Sequence, residues 1–198
     1  MIAVRNNFME NKNYSLIYRT IHWLIAISFV LLMITIFLRM YWMNKTHVSD
    51  IIADFLKDKS FSLTEEERIL LAKKIRKPMW QWHIYIGYFL VGIFSLRMVL
   101  PLFGIMPLPN PMQQKISQVV KIQKWVYLLF YLCVSISLVT GLLIEFGPKE
   151  WKSSVENIHE LSIYYLLTYI ALHLAGILYA DFVSDKGIIS RMIGGGNK

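Results

Sequence analysis

His159 and His173 stand fourteen residues apart on one apolar segment, and an imidazole at membrane depth ordinarily has a function. Fourteen residues of α-helix make close to four turns and a rise of roughly 21 Å, so the two rings share nearly one face but lie near opposite membrane surfaces. They cannot ligate one metal ion, but they can serve two cofactors stacked across a bilayer. His22 and His83 lie near the starts of two further apolar segments. If successive spans alternate in direction, His22 and His173 share one depth, on the side of the termini, and His83 and His159 share the other. Each pair then comes from two helices at matching height, the geometry that clamps a flat macrocycle between two imidazoles. Haem iron with two axial histidines has no vacant position for substrate, which favours electron transfer over oxygen or peroxide chemistry. The expected cofactors are two haems, and the expected activity is conduction of electrons across the membrane.

The elements that must position these residues are membrane helices. The chain has 198 residues, 56% of them hydrophobic, with six Trp and eleven Tyr, and exceeds an ordinary soluble domain in apolar content. Four stretches reach spanning length, about 17–38, 80–103, 125–146 and 158–180. Trp42, Trp80, Trp82, Trp125 and Trp151 stand near their ends, as interfacial anchoring requires. A soluble helical bundle is the alternative, but Trp23 to Leu38 contains no charge, where a soluble helix would carry a polar stripe. The predicted fold is all-α, a transmembrane four-helix bundle of antiparallel spans forming one domain over 1–198. The first segment is too long for a signal-peptide core and has no small-x-small cleavage site after it, so it reads as a retained signal anchor.

The first connection, about 39–79, has organisation of its own. Thr64 and Glu67 fit a capping box, followed by Ile69, Leu70, Leu71 and Ile75 in helical spacing. This predicts a short amphipathic helix on the membrane surface that ends near Pro78; a docking platform for a partner is the other reading. Pro101, Pro107, Pro109 and Pro111 make the second connection irregular, and Gly147-Pro148 turns the short third one.

The net charge is +8 and the only cysteine is Cys133. A single cysteine excludes an internal disulfide and the C-x-x-C-H attachment of a c-type haem, so any haem is held without a covalent bond. The basic residues fall in loops and tails, where they meet lipid headgroups; no nucleic-acid motif stands out. Charge does not orient the chain. The side of the termini and second connection carries Arg5, Lys12, Arg19, Arg97, Lys115, Lys121, Lys124, Lys186, Arg191 and Lys198. A similar number, including Lys73, Lys74, Arg76 and Lys77, lies opposite.

Haem propionates need cationic partners. Arg97 follows His83 by fourteen residues and so stands on the same face at the level of the other haem, where an unpaired arginine is costly. Arg97, with Arg19 one turn before His22, is the candidate for the His22/His173 haem, and Arg76 and Lys77 for the His83/His159 haem; snorkelling to headgroups is the alternative for each. Gly87 and Gly176 beside the ligands leave room for a porphyrin, although glycine is also common at helix contacts. His47 reads as a surface histidine, and Glu145 as a water-facing residue or a proton relay.

Tyr18-Arg19-Thr20-Ile21-His22-Trp23-Leu24, Trp82-His83-Ile84-Tyr85-Ile86-Gly87 with Arg97 downstream, Ile158-His159-Glu160 and Ala171-Leu172-His173-Leu174-Ala175-Gly176 resemble the bacterial cytochrome b561 and nickel-iron hydrogenase b-type cytochrome superfamily. So does the ending Asp185-Lys186-Gly187-Ile188-Ile189-Ser190-Arg191-Met192. The resemblance covers all four spans. It implies two haems b ligated by His22, His83, His159 and His173, in the bacterial inner membrane with cytoplasmic termini. The long first connection departs from compact members and suits docking of a periplasmic dehydrogenase, hydrogenase or soluble cytochrome. The protein is therefore expected to link such a partner to the quinone pool, or alternatively to act alone as a quinone-linked oxidoreductase. A quinone would enter from lipid near the His22/His173 haem. In another class stands a haem-free transporter or assembly factor using histidines for protons or metals.

Overall fold

The computed structural model describes residues 14–114 and 116–195; Arg5, Lys12, Lys115 and Lys198, used in the charge comparison, lie outside them. All regular structure among the described residues is helical: α1 (Leu16–Met40), α2 (Lys45–Leu56), α3 (Glu65–Val99), α4 (Gln118–Phe146), α5 (Lys152–Glu160), α6 (Ser162–Tyr179) and α7 (Ile188–Gly194). Four segments are long and apolar enough to cross a membrane, namely α1, α3 with the 3-10 turn after it, α4, and the run through α5 and α6. Their charges show why. Arg19 and Arg39, Lys77 and Arg97, Lys124 and Glu145, and Glu160 and Asp181 each bracket a stretch free of Lys, Arg, Asp and Glu. Each stretch rises roughly 30 Å as a helix, about the hydrocarbon thickness of a bilayer. The chain is a multi-pass membrane protein whose four long helices fit a transmembrane helical bundle.

The chain divides into two compact units, one from Ile25 to Leu96 and the other comprising the residues up to Leu24 and from Arg97 onward. In the first, Asn44 caps α2 by accepting from the Thr46 amide at 3.0 Å. The predicted capping box starts α3: the Thr64 amide donates to Glu67 Oε2 at 2.8 Å and the Glu67 amide to Thr64 Oγ1 at 3.3 Å.

The expectation of a surface helix ending near Pro78 is corrected here. Glu65–Val99 is a single helix with Pro78 inside it, and the separate short helix of the first connection is α2, upstream of that stretch. Pro78 lacks the N–H that would bond the Lys74 carbonyl and ordinarily breaks a helix; membrane helices tolerate the loss because neighbouring groups take up the freed carbonyl.

In the second unit, α4 packs against α5 and α6. Ser117 caps α4, accepting from the Val120 amide at 3.3 Å. The fourth apolar segment is not one uninterrupted helix as expected. At Leu161 the ladder tightens, with Leu161 N bonding Ile158 O at 3.2 Å and Tyr164 N bonding Leu161 O at 3.1 Å, the i to i+3 spacing of a 3-10 turn. The Ser162 hydroxyl takes the His159 carbonyl across this break, so the orphaned acceptor is satisfied. His159 thus lies in the last turn of α5, and His173 lies well inside α6.

Candidate haem-binding histidines

His22, on α1, and His173, on α6, come together although 151 positions separate them: their ring centres are 6.1 Å apart with the planes at 47°. Metal–imidazole bonds of about 2 Å on both sides of one iron place two ring centres roughly 6 Å apart. Aromatic side chains fix the His173 ring. Tyr169, one turn earlier, stacks on it at 5.7 Å and 11°, and Phe130 of α4 stacks on Tyr169 at 3.5 Å and 9°. On the other side Trp23 meets His22 edge-on at 5.6 Å. Among the described residues neither ring accepts or donates a hydrogen bond.

His159 is held differently. Its Nδ1 lies 3.0 Å from the Ser137 carbonyl and 3.1 Å from Thr140 Oγ1. The Thr140 hydroxyl donates to the carbonyls of Ile136 at 2.8 Å and Ser137 at 3.0 Å. With its hydrogen so committed, Oγ1 can only accept, and Nδ1 carries the proton. The ring lone pair is therefore on Nε2. Around it Tyr165 donates to Ser137 Oγ at 2.8 Å, and Ser137 Oγ lies 2.6 Å from Ser162 Oγ, which donates in turn to the His159 carbonyl. Gly141 lies against the ring, since a Cβ there would meet His159 Cε1 at 3.2 Å.

His83 repeats the device in the Ile25–Leu96 unit. Its Nδ1 lies 2.8 Å from Thr35 Oγ1, and the Thr35 hydroxyl donates to the Leu32 carbonyl at 2.6 Å. The proton is again on Nδ1 and the lone pair on Nε2. Trp80 stacks on the His83 ring at 4.5 Å and 4°.

A family model described as prokaryotic cytochrome b561 matches residues 13–195. This chain belongs to that family. Comparison with curated proteins and with solved structures finds no match. Membership in the b561 family makes the chain a membrane b-type cytochrome of electron transfer and implies b-type haem. The residues fit that group in three respects. The His22 and His173 rings lie close enough that both would hold one iron, His83 and His159 carry the proton on Nδ1 and so would ligate through Nε2, and Arg97 supplies a buried cation. Arg97 is 6% exposed, and its guanidinium donates to the Met106 carbonyl at 2.9 Å and the Tyr131 hydroxyl at 3.1 Å. Both acceptors are neutral, so its charge is uncompensated among the described residues. Met106 adopts a left-handed φ of 54°, a cost for a side-chain-bearing residue, and the carbonyl it presents to Arg97 offsets it.

The other cations expected in this b561 family member have neighbours of their own. Arg19 donates to the Ile193 carbonyl at 2.8 Å, at the end of α7, where a cation meets the negative end of the helix dipole. Gly195, with φ 90°, leaves space there that a Cβ would deny, 2.9 Å from the guanidinium. Arg76 and Lys77 line a pocket with Arg39 and Lys73. His47 is exposed on α2. Sequence reading missed Thr35, Ser137 and Thr140. Their signal is polarity inside an uncharged span, because a hydroxyl there must find a partner.

Proposed function

We propose that this cytochrome binds two haems b non-covalently, with His22 and His173 ligating one and His83 and His159 the remaining iron positions, and carries electrons across the bacterial inner membrane. The observation that carries the reading is the 6.1 Å spacing of the His22 and His173 rings, supported by the Nδ1 protonation of the other two. When bound, the haem supplies a one-electron iron couple with no open coordination site. The chain's own residues do the rest. Tyr169 and Phe130 hold the His173 ring plane, Thr35, Thr140 and the Ser137 carbonyl hold the imidazoles of His83 and His159, and the buried Arg97 compensates a propionate.

The electrons pass between a periplasmic redox partner, of the dehydrogenase, hydrogenase or soluble cytochrome kind, and the quinone pool, with both termini cytoplasmic. Support comes from the long first connection, whose α2 exposes Ile51 and Phe55. A quinone exchanging from lipid serves as the other reaction partner.

The test is purification of the full chain from native membranes, with haem quantified per chain, quinol added to the oxidised protein, and co-purifying proteins identified. Two haems reduced by quinol, with a redox partner consistently retained, are expected. One haem or none overturns the ligand assignment, and consistent isolation without a partner overturns the subunit role. Alkaline phosphatase fusions to the C-terminus, expected inactive, test the orientation.

A further inference from the structure

We propose that Arg39, Lys73, Arg76 and Lys77 form a binding site for the phosphate of an anionic phospholipid headgroup, seated over Trp80. The site is a pocket of about 170 Å³ lined by these four cations with Met79 and Trp80. Lys73, Arg76 and Lys77 have i, i+3, i+4 spacing and so share one face of α3. Arg39 joins them from the last turn of α1, its guanidinium carbon 4.1 Å from the centre of the Trp80 ring. A guanidinium lying over an aromatic ring keeps its N–H edges for another acceptor.

No carboxylate lines the pocket. Among the described residues none of the four cations forms an ion pair, and Arg39 and Arg76 repel one another. Such a cluster requires an anion. Two guanidinium forks and two flexible ammonium groups suit phosphate oxygens, which accept bidentate bonds from arginine and point-charge contacts from lysine.

The position selects lipid as the source. Arg39 closes the uncharged stretch of α1 and Lys77 opens that of α3, so the pocket lies where hydrocarbon gives way to headgroups. Met79 and Trp80 form its apolar wall. Trp80 also stacks on His83, so the lipid would sit one side chain from a proposed haem ligand. The inference itself does not depend on haem.

The test uses the full chain, delipidated in a neutral detergent and titrated separately with phosphatidylglycerol, phosphatidylcholine and inorganic phosphate. Bound species are counted by native mass spectrometry, and haem content is recorded alongside. Selective retention of phosphatidylglycerol is expected. The K73Q/K77Q variant, altered only at exposed side chains, should weaken it roughly tenfold or more, and R39Q should do the same with haem content unchanged. Equal binding of the two lipids overturns the proposal, as does undiminished selectivity in K73Q/K77Q. Inorganic phosphate binding as tightly as the lipid would make this a soluble-anion site. Haem lost together with lipid in K73Q/K77Q would make it a propionate clamp, and either result overturns the lipid assignment.

Discussion

His22 and His173 are positioned by packing, whereas His83 and His159 are positioned by hydrogen bonds. The first two rings sit among Trp23, Tyr169 and Phe130. The other two each set Nδ1 against a threonine whose own hydrogen is committed to a helix carbonyl. The difference teaches how two kinds of surroundings would give proposed ligands of the same residue type different electronic properties. A hydrogen bond from Nδ1 makes the imidazole more basic and a better donor to a ferric iron, which lowers the potential of that centre. Under the proposed ligand assignment, the threonine-bonded histidines would serve the lower-potential haem and the aromatic-packed pair the higher.

Removing a ligand breaks the comparison outright. H173A and H159A should each lose one of the two haems, and the surviving centre should be the lower-potential one in H173A and the higher-potential one in H159A, as read by potentiometric titration. The buried Arg97 gives the next largest effect. R97M removes a charge-assisted partner, a loss of about 1.5–3 kcal/mol, and should weaken haem retention on the His22/His173 side at least tenfold. R19M, whose guanidinium serves the Ile193 carbonyl, should leave haem retention unchanged and loosen the C-terminal helix, seen as faster proteolysis there.

Finer changes sharpen the contrast. T35V removes the acceptor at His83 Nδ1; a hydrogen bond of roughly 1 kcal/mol corresponds to about 40 mV for one electron, so the lower midpoint should rise by that amount, and T35S should restore it. T140V should raise it by about half as much, because the Ser137 carbonyl still accepts from His159. A downward shift in T35V would contradict the role given to this bond. G141A is expected to be smallest. The added methyl presses on His159 Cε1 and should alter the low-spin electron paramagnetic resonance lines of that centre while leaving haem content intact.

The spans were legible in the sequence because membrane helices must satisfy their backbones internally and exclude charge over a fixed length, a constraint that each bracketed stretch obeys. Helix rise converts position into depth, which is why the sequence led to the expectation that His22 and His173 share one level; the structure brings their rings to 6.1 Å. Two helix boundaries were not legible. Pro78 read as a terminator because its local preference is to break a helix, and tertiary context overrode it. The break at Leu161 has no glycine or proline to mark it and depends on the Ser162 hydroxyl reaching the His159 carbonyl. Thr35 and Thr140 were overlooked because a hydroxyl's partner depends on the neighbouring helix, which periodicity within one segment does not specify. Arg97 was expected to meet a propionate; its bond to the Met106 carbonyl was not legible, because it requires a left-handed residue that no sequence pattern announces.

The most direct measurement is a potentiometric titration of the purified full-length protein, followed optically and combined with pyridine haemochrome quantification. Two low-spin haems b per chain, titrating in two one-electron waves with the lower wave shifting upward in T35V, is the predicted result. A single haem per chain, no haem in folded protein, or a T35V shift confined to the upper wave would contradict it.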